Sequence, residues 1–454
     1  MEIKQAINVY LNKTSRAATL AAFRILFGML MLMSLVRFLS KGWVNKFYIE
    51  PIFHFKYYGF SWVVTWGEYT YILFFVAIIS CVGIILGYKY RLSIVLFFLS
   101  FTYIELIDKT TYLNHYYFIS ILSFLLCFLP LNVTFSLDSY YKNKSYKNVP
   151  KWTVDAIKVL IGVVYFYAGL AKLNSDWLFR AQPLKIWLSS KTDFPIIGKF
   201  MNDTWFHYLM SWSGAIYDLT IPFLLLIRKT RPFAFILVVI FHVFTRVLFP
   251  IGVFPYVMIC ATLIFFSGEL HEKFLRVLGN ILKLKSKVND VRNVYLPRIY
   301  RKVFLVVCLF LSIQLVLPFR YVLYPGELFW TEEGYRFSWR VMLMEKAGYT
   351  SFRIVKYDTG NSFTVDNKHF LNAFQNKQMS TQPDFIVEYA HFLGDHYKKE
   401  LENENIGVFV EGYISLNGRL SQPYIDPRVD LLKVKDGFQH KTWILPFEDE
   451  IKGL

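Results

Sequence analysis

The chain has 454 residues, 55% of them hydrophobic, 19% aromatic and only 18% charged, with a formal net charge of +17. A soluble domain carries about a quarter charged residues, so this composition excludes a disordered chain, a coiled coil and a cytosolic globular enzyme, and points to a membrane protein. The positive balance would suit a nucleic-acid partner, but it is concentrated in one set of loops, which accounts for it without nucleic acid.

A helix crosses the hydrocarbon core with about 20 mostly apolar residues. In chain order, apolar stretches at 18–38, 69–87, 91–107, 112–131, 152–173, 212–228, 231–249, 251–267 and 301–321 predict nine spans. The chain ends then lie on opposite sides of the membrane. The first stretch is long enough to span and lacks a small-residue cleavage site, so no cleavable signal peptide is expected. Loop Lys and Arg residues set the orientation. With a cytoplasmic N-terminus, the inner segments carry Lys4, Lys13 and Arg16; Lys89 and Arg91; Lys142, Lys144, Lys147 and Lys151; and Arg228, Lys229 and Arg231. The 268–302 loop adds Lys283, Lys285, Lys287, Arg292, Arg298 and Arg301 among others, whereas the outer loops are sparsely basic. Everything after Tyr321 is thereby expected outside, on the periplasmic or extracellular side.

The aromatic segment 41–66, broken by Pro51, reads as an interfacial element at the headgroup level. A lipid-soluble ligand could enter beneath it, although a plain aromatic belt is the commoner explanation. The four cysteines, Cys81, Cys127, Cys260 and Cys308, sit inside apolar runs without a CxxC pair and read as small buried hydrophobes. After Tyr321, SFRIVKY, NSFTV, IGVFVEGYISL and KTWIL alternate like strands and are separated by the turn signals DTG, LNG and KDG. Residues 381–402 read as a helix with Phe385, Tyr389, Phe392 and Leu393 on one face. The expected architecture is a polytopic α-helical membrane domain over residues 1–321, followed by a small, mostly-β α+β extramembrane domain over 322–454.

Ionisable groups inside spans are costly and are default candidates for function. Four expected helices deliver such groups to one depth near the outer leaflet: Asn114 with His115, Lys172, Asp218, and His242 with Arg246 on one helical face. Each has a bland alternative. Lys172 and Arg246 suit snorkelling anchors, Lys172 has Asp176 four residues on for a surface ion pair, and either histidine suits packing. Asp218 needs a partner or a proton. Tyr165, Ala168 and Lys172 share a face, and an amine in an apolar setting gives up its proton readily enough to serve as a base. No HExxH, GxSxG, P-loop or GxGxxG in a βαβ setting is present, and no metal is expected.

At these residues the chain resembles the vitamin K-dependent γ-glutamyl carboxylases and the broader membrane family that contains them. The matching strings are FRILFG (23–28), LIDKTTYLNHYY (106–117), YAGLAKLNSDWL (167–178), YDLT (217–220), FHVFTRVLFPIGVFPYVM (241–258), GYRFSWRVM (334–342) and PYIDPRVDL (423–431), in the family's order. The resemblance implies an outer-side reaction in which reduced vitamin K (a naphthohydroquinone) is oxygenated by O2 to the 2,3-epoxide. That step is coupled to conversion of peptide Glu to γ-carboxyglutamate with CO2. The coupling has a physical reason: the Glu γ-hydrogen is too weakly acidic for a side-chain base, and oxygenation in a dry pocket generates a far stronger one.

By the resemblance, Lys172 matches the catalytic lysine that deprotonates the hydroquinone, and His115, with Asn114, matches the histidine that hydrogen-bonds the quinone oxygens or the developing anion. His242, Asp218 and Arg246 are implied around them. Trp339 and Arg428 fall in strings that either shape a Glu-peptide groove or serve packing and turns. The implied partners are a Glu-containing peptide or protein and the lipid bilayer, with room for a quinone reductase and no nucleic acid. Animal members continue beyond the DPRVD string, and extramembrane cysteines are absent here. Reduced propeptide docking, no membrane-to-lumen disulfide and a bacterial origin are therefore expected. Two other readings stay open: a quinol oxygenase of the same family with another acceptor or none, and a non-catalytic quinone- or peptide-binding membrane protein.

Overall fold

The computed structural model describes residues 2–283, 288–296 and 299–453; Lys285, Lys287, Arg298 and the side chain of Lys4 lie outside the described set. The main helices of the membrane part are α1 (Ala17–Ser40), α2 (Thr70–Leu86), α3 (Tyr90–Ile107), α4 (Asn114–Phe128), α5 (Lys151–Leu170), α6 (Thr204–Leu226), α7 (Arg231–Leu248), α8 (Phe254–Thr262), α9 (Gly268–Ile281) and α10 (Tyr300–Val316).

Seven helices among the described residues are long and apolar enough to span, eight with the bent pair Phe254–Phe265 and α9, and the shorter apolar helix α4 lies at the fourth of the nine expected stretches. Two of these elements have features that hydropathy does not give. Helix α4 has 15 residues, about 22 Å at 1.5 Å per residue, because Leu113 before it and Leu129 after it are extended and Pro130 follows. Phe254–Phe265, inside the stretch expected at 251–267, is followed at 117° by α9. Ser267, which is extended and accepts from Leu270 N, starts the new helix there.

At one end of the bundle a three-stranded sheet joins β1 (Thr14–Arg16), β2 (Lys144–Pro150) and β3 (Asp290–Val294). β1 pairs antiparallel and β3 parallel to β2, with Thr14 opposite Pro150 and Tyr146 opposite Arg292. Three of the basic segments are thus collected on one side. Close packing inside the bundle depends on small residues: a Cβ on Gly169 would lie 2.7 Å from Leu219 N, so α5 and α6 approach backbone to backbone.

The opposite end carries the extramembrane part, a four-stranded sheet in the order β5 (Ser362–Thr364), β4 (Lys346–Lys356), β6 (Ile406–Leu416), β7 (Gln422–Pro423). β4 and β6 pair antiparallel from Lys346 opposite Leu416 to Lys356 opposite Ile406. Their alternate residues, Phe352 and Ile354 with Val408, Val410 and Ile414, face inward and are fully buried. Helix α11 (Pro383–Glu400) covers that face with Phe385, Tyr389 and Leu393. KTWIL is not a strand: only an isolated bridge pairs Ile444 with Ile425, and Trp330 Nε1 takes the Leu445 carbonyl instead. This core also takes in Phe55, Trp177, Leu188 and Phe206 from the membrane part. Segment 41–66 does two jobs, with Trp62 and Ile52 exposed while Phe53 and Phe55 pack on α11.

A buried ion cluster locks the two parts together. Lys109, just beyond α3 and 2% exposed, pairs at 2.9 Å with both Asp384 and Glu388 of α11, and Arg336 donates to Asp384 at 2.7 Å. Burial would raise the Asp384 carboxyl, but Arg336 and Lys109 overcome it and hold Asp384 well below the usual carboxylate range. At Glu388 burial wins against Lys109 and pushes the carboxyl up to about 7. Lys109→Met removes one partner of a buried pair, which costs about 3–5 kcal/mol. The expected result is a lowered Tm and protease cleavage near α11; an unchanged Tm would contradict this docking role.

Candidate active site

Lys172 closes the turn that follows α5. The chain is fixed there by Asn174, whose side chain accepts from Trp177 N at 2.9 Å and starts a short helix, Ser175–Arg180. The Lys172 side chain folds back along α5, so that Nζ donates to the Ala168 carbonyl at 3.0 Å and to Asp218 Oδ2 at 2.8 Å. Both side chains are 7% exposed, and the Trp177 ring lies 5.2 Å from the amine. Asp218 comes from α6, at the place where Gly169 permits close approach.

Two expectations are corrected here. Asp176 does not pair with Lys172: it faces the extramembrane part and takes both arms of Arg419 at 2.7 Å and Asn417 Nδ2 at 2.8 Å. Nor is the amine in purely apolar surroundings, since Asp218 is its partner.

His242 sits on α7, 1% exposed, with Nε2 2.9 Å from the Tyr165 hydroxyl of α5. Tyr217, the neighbour of Asp218, stacks on Phe241 with ring centres 4.0 Å apart. His115 occupies the first turn of α4 and is 6% exposed. The Phe254 ring of α8 lies against both imidazoles, 5.9 Å from His115 and 5.8 Å from His242. Thus α4, α5, α6, α7 and α8 each contribute to one cluster. Among the described residues, His115 Nε2, His242 Nδ1, Arg246 Nε and Trp339 Nε1 are buried without a hydrogen-bond partner. Buried polar atoms in that state are costly, and a flat ligand with oxygens at its edge would satisfy those nearest Phe254. The residues present therefore fit a quinol.

The remaining expected site residues fall differently. Asn114 donates to the Arg340 carbonyl at 3.1 Å and accepts from the Tyr112 hydroxyl at 3.0 Å, so its amide holds the 334–342 segment against α4. In that segment Phe337 and Trp339 have φ of 60° and Met342 of 54°, a left-handed conformation that strains non-glycine residues. The strained arch lays Phe337 on Tyr112 and Tyr117, at 5.1 and 4.9 Å, and Trp339 on Tyr117 at 5.1 Å. Trp339 is thereby buried on the helix that carries His115. Arg246 is half-buried, one turn beyond His242. Arg428 is not brought to the cluster; its side chain is 85% exposed and pairs at 2.8 Å with Asp426 inside its own turn.

Sequence reasoning missed Tyr217, Phe254 and Trp177, although the strings YDLT, GVFPYVM and NSDWL contain them. It also missed the partners of Lys109, for which the signal was an acidic pair four residues apart, Asp384 and Glu388, on the 383–400 helix. Comparison with known proteins gives two matches: residues 12–269 match the HTTM domain, and residues 300–450 match the lumenal domain of vitamin K-dependent gamma-carboxylase. No solved structure matches.

Proposed function

The chain belongs to the HTTM-domain family of vitamin K-dependent gamma-carboxylases, and from that premise we propose that it is itself a membrane-embedded γ-glutamyl carboxylase. It couples oxygenation of reduced vitamin K by O2 to carboxylation of peptide Glu with CO2. The observation that carries this reading is the buried Lys172 amine, 2.8 Å from Asp218, whose neighbour Tyr217 packs on His242, one of two histidines with a buried ring nitrogen lacking a partner.

The quinol, when bound, supplies with O2 a base strong enough to remove the Glu γ-hydrogen. Every other task falls to the chain. Phe254, packed against both imidazoles, would lie against the fused ring that His115 and His242 would hold. His115 Nε2 and His242 Nδ1 hydrogen-bond the ring oxygens and steady the charge that develops on them. Lys172 takes the proton from a quinol hydroxyl. A base must be neutral to do so, and Asp218, 2.8 Å from the amine, is the group placed to take the proton from it. Tyr165 holds His242 in place through its hydroxyl. Trp339 and its arch fix the start of α4, and with it His115.

The N-terminus is placed in the cytoplasm and the 322–454 region outside, a reading supported by the basic segments that gather at the β1–β3 end. The partners proposed are a Glu-containing peptide or protein and a quinone reductase.

Purified protein given reduced naphthoquinone, O2, a Glu peptide and 14CO2 tests the reading. Radiolabelled peptide and epoxide in comparable amounts are expected. Epoxide without labelled peptide would reassign the protein as a quinol oxygenase, and neither product would refute catalysis by this site.

A further inference from the structure

We propose that the bundle end opposite Lys172 holds a second site, which binds the phosphate of an anionic phospholipid from the adjoining leaflet. A cavity of about 400 Å3 opens there, with Arg16, Lys158, Arg231, Phe265 and Ser267 in its wall, within the roughly 300–1,000 Å3 range of ligand pockets. It exists because the chain turns through 117° between Phe254–Phe265 and α9. Gly268 allows that turn to close on Arg16: a Cβ there would lie 2.3 Å from the Arg16 Cβ.

Cations from three separate elements converge on this cavity. Arg231, at the start of α7, is held by Nε and Nη2 on the Leu225 and Leu226 carbonyls at 2.8 and 3.0 Å. The Lys158 amine of α5 lies over the Phe265 ring at 5.8 Å and is only loosely engaged by Asp155, at 4.0 Å. Arg16 reaches Glu269 at 3.6 Å, with both side chains open to solvent. The wall carries these three cations and one carboxylate, Glu269, a positive surplus suited to a phosphodiester. The positive end of α9 adds to it.

The surroundings select a lipid over a soluble anion. Helix α9 buries His271 and Leu275 on one side and exposes Leu270, Phe274, Val277 and Ile281 on the other, the pattern of a helix lying in the membrane interface. Beside the cavity, α7 exposes Phe233, Ile236 and Ile240 along one face, an apolar track on which acyl chains can run from the phosphate towards the bilayer centre. None of these residues takes part in the chemistry proposed for Lys172, so the two proposals stand or fall separately.

Native mass spectrometry of the detergent-purified protein, titrated with phosphatidylglycerol, with phosphatidylcholine of the same chains and with inorganic phosphate, tests the assignment. Phosphatidylglycerol is expected to bind at least about tenfold more tightly than phosphatidylcholine. Lys158→Gln/Arg231→Gln removes that preference, whereas the charge-conserving Lys158→Arg/Arg231→Lys keeps it. Melting in lipid-free detergent reports on the fold of each variant; if the glutamine pair unfolds, the charge-conserving pair decides the matter by keeping or losing the preference. Equal binding of the two lipids, or a folded glutamine variant that keeps the preference, would overturn the proposal. Inorganic phosphate binding as tightly as phosphatidylglycerol would also overturn it, by assigning the site to a free anion.

Discussion

Lys172→Ala is expected to lower quinol-dependent epoxide formation by about 10^2- to 10^4-fold, the range for loss of a positioned acid–base group, and to abolish Glu carboxylation with it. The reason lies in the surroundings of the amine. Its nitrogen is bonded to Ala168 O and Asp218 Oδ2 and buried beside Trp177, so no other basic side chain replaces it. Truncation leaves the buried Asp218 without its cation, which is costly. The variant is therefore expected to insert and fold with a lowered Tm. Gel filtration and thermal melting of the purified variant separate the two roles: loss of the folded species would make Lys172 structural, and a folded, fully active variant would remove it from the chemistry.

The second large effect concerns Asp218. Asp218→Asn leaves the ammonium facing an amide in a buried site, and breaking such a pair by removing one partner costs about 3–5 kcal/mol. The expected result is a sharply lower Tm together with loss of epoxide formation. The double variant Lys172→Met/Asp218→Leu discriminates between the contributions, because replacing a buried ion pair with apolar groups of similar volume is often neutral or stabilising. It should recover most of the melting temperature and none of the activity. If Asp218→Asn melts and turns over like the parent, the pair at 2.8 Å has no role in either.

The helices were legible because apolar runs report burial in lipid, and Lys172, Asp218, His115 and His242 stood out as polar groups within them. What apolarity does not encode is direction. The length of α4 and the 117° turn from Phe254–Phe265 into α9 were not in the hydropathy pattern. Pairing was likewise hidden. Spacing along one helix suggests Asp176 for Lys172, whereas the actual partner arrives on another helix, and Asp176 is claimed by Arg419, 243 residues further on. Arg428 was carried by its string alone and remains in a surface turn. The arch at Phe337 and Trp339 follows no propensity, since left-handed aromatic residues are held only by the surroundings that over-determine them.

Chemical rescue of Lys172→Ala by a graded series of small primary amines tests most directly whether the Lys172 nitrogen is the base. Asp218 remains beside the space left by the side chain and can accept a hydrogen bond from an added amine, as it does from Lys172. Epoxide formation should return in proportion to amine concentration, with a rate constant that rises with amine basicity at equal size, as proton abstraction requires. Rescue independent of basicity, or no rescue in a variant that still binds the quinone, would contradict the account.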